Sequence, residues 1–155
     1  MAADPSSAPI LIAYDGSDHA KGAIAVAGEQ FAAGRPALVV TVFEPLETIP
    51  FFSGAGAPVD STTMEQLVGA AERAANHAAE EGAALAREAG FEAEAVALAG
   101  APVWEQIVDL AEARGCEPIV IGSRGLSGLK HVLLGSVAAA VSQHSKRSTL
   151  IVHDR

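Results

Sequence analysis

Residues 118–141 read PIVIGSRGLSGLKHVLLGSVAAAV. Pro118-Ile-Val-Ile121 is a short apolar run closed by a glycine and reads as a strand. Val137-Ala-Ala-Ala-Val141 has the composition of a helix. Between them lie Gly122-Ser-Arg-Gly125, then nine residues, then Gly135-Ser136. Glycines at the end of a strand let the backbone approach a ligand closely. A Gly-Ser that opens a helix offers unpaired N–H groups and a hydroxyl to an anion. The stretch therefore reads as strand, phosphate-suited turn and helix.

The same alternation extends outward in both directions. Ile10-Leu-Ile-Ala13 is an apolar run followed by Asp15-Gly16-Ser17-Asp18. Ser17 or Asp18 is suited to cap a helix running from Asp18 to about Ala33, with Ile24, Ala27 and Phe31 at helical spacing. Gly34-Arg-Pro36 stops it, and Ala37–Phe43 is a β-branched strand. A Pro/Gly-rich segment from Glu44 to Ser61 carries Phe51-Phe52 and reads as a long loop. The phenylalanines either fold onto the body or meet a ligand or partner. Thr62 or Thr63 opens an Ala-rich helix to about Ala89, stopped by Gly90. Phe91–Leu98 alternates as a strand with one polar face. Gly100-Ala-Pro102 leads into a helix from Val103 to about Arg114, with Pro102 suited to its first turn. Trp104, Ile107, Val108 and Ala111 form its apolar stripe, and Trp104 reads as packing. Gly115 ends it. After the glycine segment a helix runs to about His144, and Thr149–His153 is a fifth strand.

The order β-α-β-α-β-α-β-α-β predicts a single doubly wound α/β domain: a five-stranded parallel sheet with helices on both faces. At 155 residues the chain is long enough for one such core, and no internal repeat or second domain is visible. Residues 1–8 read as a disordered lead-in without the pattern of a signal peptide, and 9–155 as the domain.

Composition narrows the partners. The formal net charge is −9, which argues against nucleic acid or an anionic membrane, since either needs a basic face. No apolar run is long enough to span a bilayer. The single cysteine, Cys116, cannot form an intrachain disulfide, reads as inert packing, and is compatible with a cytoplasmic location. An acidic chain that binds phosphate must use backbone N–H groups, a helix terminus or a metal ion.

In a doubly wound sheet, ligands sit beyond the carboxyl ends of the strands where strand order reverses. If the first and fourth strands are neighbours, Asp15 and the glycine segment face one crevice there. A carboxylate suits ribose hydroxyls or an exocyclic amine; the glycine segment suits phosphates. Together they describe a nucleotide. Taken singly, each residue has a plainer reading: Asp15 as a turn with Gly16, Gly122, Gly125 and Gly128 as a flexible loop, Ser136 as a helix cap. The segment is neither a P-loop, because Lys130 is not placed as the Walker lysine, nor the Gly-x-Gly-x2-Gly dinucleotide motif.

These residues resemble the universal stress protein family, whose nucleotide-binding members carry Gly-x2-Gly-x9-Gly-(Ser/Thr). The pattern is complete here in Gly122, Gly125, Gly135 and Ser136. Ala13-Tyr-Asp15-Gly-Ser17, Gly100-Ala-Pro102 and Leu150-Ile-Val152 are similar to the family's corresponding segments. The resemblance implies strand order 3-2-1-4-5 and an ATP-type ligand. It implies that Gly122, Gly125, Gly135, Ser136 and the adjoining Val137 hold ribose and phosphates. Asp15 would contact ribose or base, and Val42 would meet adenine through its backbone with Ala13 beside it. Arg124 would either reach a phosphate or point to solvent. The resemblance further implies a homodimer through antiparallel pairing of Thr149–His153, an apolar edge of the kind that must be covered.

The reading is thus a stress or signalling protein that binds ATP, with AMP and cyclic AMP as variants. Magnesium is expected to bridge the phosphates, since only Lys130 and Arg124 lie near enough in sequence to neutralise them. Slow ATP hydrolysis is the enzymatic alternative, but no residue stands out to orient water, and His131, His144 and His153 have no recognisable partner spacing. A nucleotide-independent interaction protein is the third possibility.

Overall fold

The computed structural model describes residue 4 and residues 6–31, 33–45, 60–126 and 133–153. Among these, nine elements alternate: β1 (Ile10–Ala13), α1 (Asp18–Gln30), β2 (Pro36–Phe43), α2 (Ser61–Glu88), β3 (Glu92–Ala99), α3 (Val103–Arg114), β4 (Ile119–Gly122), α4 (Ser136–His144) and β5 (Thr149–Val152). The strands form one parallel sheet, as their alternation with helices predicts, in the order β3-β2-β1-β4-β5 that the family resemblance implies.

The short central strands carry the core because both of their faces are covered. Ile12 stands in register with Val39 on one side and Val120 on the other. Ile10, Ile12, Val39 and Val120 pack under α1 and α2. The alternate set, Leu11, Leu38, Val40 and Ile119, packs under α3 and α4. Each fully buried aliphatic side chain stabilises the fold by about 2 kcal/mol, so these two layers supply most of the driving force. Helix α2 reaches the sheet through Gly82: a Cβ there would lie 2.7 Å from the Tyr14 ring and 2.8 Å from Val39. Only from Ala75 onward does α2 bury residues. Leu67 and Val68, in its first half, are 38% and 39% exposed.

Element boundaries depart from expectation at several places. Helix α1 stops at Gln30, where Phe31 turns extended, rather than at Ala33. Asp60, not Thr62 or Thr63, caps α2; its carboxylate accepts the Thr63 N–H at 2.8 Å. Pro102 is the N-cap of α3, in extended geometry, and not part of its first turn. Phe91 precedes β3 and donates its N–H to Ala86, closing the end of α2. Gly115 ends α3 in the left-handed region at φ 63°, where a side chain would be strained.

The amino ends of the strands are tied together by side chains. Arg35, 9% exposed, donates Nε–H to the Ala8 carbonyl at 2.8 Å and Nη2–H to the Glu117 carbonyl at 2.7 Å. Its guanidinium lies over the Phe31 ring, 5.1 Å from the centroid. The Glu117 carboxylate accepts the N–H and O–H of Ser148 and pairs with Arg147. Hydrogen bonds from Ser148, then the Arg147 charge, hold its carboxyl below the ordinary value near 4.5.

Cys116 is fully buried, and burial pushes its thiol pKa up, in keeping with a packing role. Trp104 stacks on His144 with centroids 4.4 Å apart, joining α3 to α4. No helix among the described residues is long and apolar enough to cross a membrane. Phe51-Phe52, Gly128, Lys130, His131 and residues 1–3 and 5 of the lead-in lie outside the described residues. Asp4 and Ser7 form a turn, with the Ser7 N–H on the Asp4 carbonyl at 2.8 Å.

Candidate functional site

From β1 the chain steps outward to β2 and β3 on one side, then crosses back to β4 and β5 on the other, so the order of strands reverses at the β1/β4 boundary. A cleft of about 230 Å³ opens there at the carboxyl ends of the strands. Its floor and one wall are aliphatic: Val40 and Val42 from β2, Val103 and Ile107 from α3, Ile121 from β4. Its rim is polar: Asp15 after β1, Ser123 to Gly125 after β4, and Gly135 to Val137 at the start of α4. All nine residues expected from the sequence line this one cleft: Ala13, Asp15, Val42, Gly122, Arg124, Gly125, Gly135, Ser136 and Val137.

Among the described residues, the first turn of α4 at the rim offers backbone donors with no side-chain cap. Its N-cap is Gly135, which has no side chain to accept from the first turn, and no side-chain cap is made. Ser136 is therefore the first helical residue and not the cap. First-turn N–H groups have no acceptor in their own helix, and the helix dipole makes this end favourable for an anion. Gly135 itself is held by its N–H on the Ser123 carbonyl at 2.6 Å.

The glycines serve the chain's own packing first. A Cβ on Gly122 would lie 3.0 Å from the backbone of His19 in α1, and one on Gly135 would lie 3.3 Å from the Ser123 carbonyl oxygen. Gly122 thus lets α1 sit against β4, and Gly135 lets the β4 turn approach α4. Gly125 faces Asp15: a Cβ there would lie 2.7 Å from Asp15 Oδ2.

Asp15 makes the turn that is its plainer reading, and also a contact that the sequence did not suggest. Its Oδ1 accepts the Ser17 N–H at 2.9 Å, making the turn with Gly16 at φ 82°. Its Oδ2 crosses the cleft mouth and accepts the Leu126 N–H at 3.2 Å. Tyr14, just before it, is locked from the opposite face of the sheet. The Tyr14 hydroxyl donates to Glu81 Oε1 at 2.6 Å, and the Thr41 hydroxyl donates to the Tyr14 carbonyl at 2.8 Å. Burial, then the Glu81 carboxylate, drives the Tyr14 pKa up, while the same hydrogen bond holds Glu81 down.

Sequence reasoning named Val42 but missed Val40, Val103, Ile107 and Ile121 beside it in the aliphatic lining. Val40 was legible, since it lies two residues before Val42 and must share its face. Ile107 sat in the α3 stripe, but nothing local said that the stripe reached the cleft. Among the described residues no cluster of three or more His, Cys, Asp or Glu could hold a metal ion.

A doubly wound α/β domain with a switch-point cleft, apolar within and rich in backbone donors at its rim, is the class that this geometry defines. The sequence profile of the universal stress protein family matches residues 7–153, and the chain belongs to that family. Universal stress protein YxiE of Bacillus subtilis is 35% identical over 159 residues, spanning 92% of this chain and 97% of its own. The solved structure of MJ0577, a universal stress protein of Methanocaldococcus jannaschii, superposes with a TM-score of 0.78 at 24% identity, covering 97% of this chain and 98% of that one. A universal stress protein solved in complex with cAMP is 26% identical, with a TM-score of 0.58 over 95% of this chain and 97% of that one.

Proposed function

We propose that this protein binds an adenine nucleotide of the ATP type in the β1/β4 cleft and acts as a stress or signalling binding protein. The observation that carries the reading is the pairing, within one cleft, of an aliphatic slot with the uncapped first turn of α4. The slot suits a purine, and the helix terminus suits phosphate. The base edge has a partner in β2. The Tyr14 N–H donates to the Val40 carbonyl, so the backbone groups of Val42, two residues on, also face the β1 side. Registered pairing ends at Ala13 with Val40. The Val42 N–H and C=O therefore lie past the end of β1, where one acceptor and one donor on the adenine edge match them.

The reading is of binding rather than turnover. Asp15 is engaged by two backbone N–H groups, His144 stacks on Trp104, and His153 follows β5. Among the described residues none of these is placed to activate water at a terminal phosphate. A divalent ion such as magnesium would be held by the nucleotide more than by the protein and would supply the positive charge that the phosphates need. The open edge of β5, with Leu150 and Ile151 half-buried, is the surface for an antiparallel homodimer. The buried thiol of Cys116 fits a reducing cytoplasm.

Calorimetric titration with ATP, AMP and cyclic AMP, with and without magnesium, tests this. Cyclic AMP belongs in the set because the 26%-identical relative was solved with it. Removing the Ser136 hydroxyl from an anion it contacts weakens binding by about tenfold, so Ser136→Ala is expected to do so without changing stability. Absence of any adenine-nucleotide binding at millimolar concentration sinks the proposal.

A further inference from the structure

The Asp15 carboxylate is the only side chain that an observed hydrogen bond carries from the end of β1 to the glycine segment after β4, among the described residues. Its two oxygens have separate partners on the two connections: Ser17 on the β1–α1 turn and Leu126 on the β4–α4 connection. Gly125 lies directly beneath, so close that a Cβ would stand 2.7 Å from Oδ2. This closeness explains a glycine that backbone angles do not, since Gly125 has no positive φ.

We propose that Asp15 is the positioning residue of the site: it ties the glycine segment to the end of β1 before any ligand arrives, and Gly125 is glycine to admit the carboxylate. The proposal rests on the nucleotide reading only for its second half. When a nucleotide enters, Oδ1 keeps the Ser17 N–H, while Oδ2 turns to accept from a ribose hydroxyl and releases the Leu126 N–H to an oxygen of the ligand. Donor and acceptor numbers balance in that exchange. One carboxylate oxygen trades an N–H for an O–H, and the freed N–H takes a ligand oxygen. A free anion without a sugar brings no donor for Oδ2 and meets the carboxylate's charge at the mouth of the cleft. The arrangement therefore selects a nucleotide over inorganic phosphate.

Amide hydrogen exchange by NMR tests the first half without any ligand. Asn at position 15 keeps an oxygen for Ser17 but presents an N–H2 where Leu126 needs an acceptor. Ala at position 125 keeps the carboxylate but pushes it away. Loss of a charge-assisted hydrogen bond speeds exchange at the Leu126 amide by about tenfold in both Asp15→Asn and Gly125→Ala. The Val39 and Val120 amides of the core serve as the measure of global stability, against which the Leu126 rate is taken. Unchanged relative exchange at Leu126 in both variants overturns the proposal. The second half is read by adding AMP and, separately, inorganic phosphate to Asp15→Asn and the unmodified protein. AMP is expected to restore Leu126 protection in the variant, and phosphate to bind the variant more tightly than the unmodified protein. If AMP binds neither protein, the nucleotide reading falls while the tether, measured without ligand, stands. If AMP binds both equally, with no change at Leu126, the exchange of partners is wrong.

Discussion

At the amino ends of the strands, Arg35 gathers the carbonyls of Ala8 and Glu117, and Glu117 in turn gathers Ser148 and Arg147. At the carboxyl ends, α4 starts without a side-chain cap, and the Asp15 carboxylate reaches across the cleft mouth. The same strands thus end in two different ways. One end satisfies its backbone groups with long, charge-bearing side chains drawn from distant segments. The other leaves backbone donors and the Val42 edge facing a cavity, at a local cost in stability. The difference teaches where substitutions should act: on stability at the amino end and, on the proposed reading, on recognition at the carboxyl end.

Arg35→Ala is the strongest attempt to break that division. It deletes two charge-assisted hydrogen bonds from a buried side chain and should cost about 3 kcal/mol in urea unfolding, with nucleotide affinity unchanged. A parallel fall in affinity would show that the two ends are one unit. Gly122→Val attacks the boundary from the other side. Its side chain must displace the His19 backbone, 3.0 Å from the first added carbon, and overpacking of this kind costs about 2 kcal/mol. This glycine is thus expected to report on folding, in contrast to Ser136→Ala, which should report on ligand alone. A Gly122→Val variant with full stability and no nucleotide binding would reverse that assignment.

Glu117→Gln gives the smallest effect and the sharpest one. The glutamine keeps an oxygen for Ser148 but loses the charge beside Arg147. A carboxyl whose folded pKa is depressed contributes stability above its unfolded value and loses it as pH falls through the folded value. For Glu117 the contribution is present above the ordinary value near 4.5 and fades below it. Urea midpoints measured from roughly pH 7 down to pH 3 should therefore fall less steeply in the variant. An identical acid limb in both proteins would mean that the charge at the amino end contributes nothing.

β1 and β4 were readable as short apolar runs, β2 by its β-branched residues and β3 by its alternation, and the helices because apolar residues recur at helical spacing. Strand order needed the topology rules and the family pattern together. The nine residues expected to hold the ligand line one cleft: Gly-x2-Gly-x9-Gly-Ser marks the β4 and α4 sides, whereas Ala13, Asp15 and Val42 needed the switch-point argument and the family resemblance. What was not readable is physical in kind. Arg35 finds its partners 27 and 82 residues away, beyond any local pattern. Asp60 caps α2 from the edge of a Pro/Gly-rich stretch that has no periodicity to mark a start. Glycine spacing alone does not say whether the missing side chain makes room for a ligand or for the protein, and at Gly122 it is the protein.

The stack of Trp104 on His144 has one more consequence. Trp104 is the only tryptophan in the chain. It adjoins Val103 in the cleft wall and rests on the last turn of the helix whose first turn forms the cleft rim. Its ultraviolet emission therefore arises from a single, known joint between two helices. The protein carries its own optical probe for any shift of α4 against α3, with no dye, label or engineered residue required.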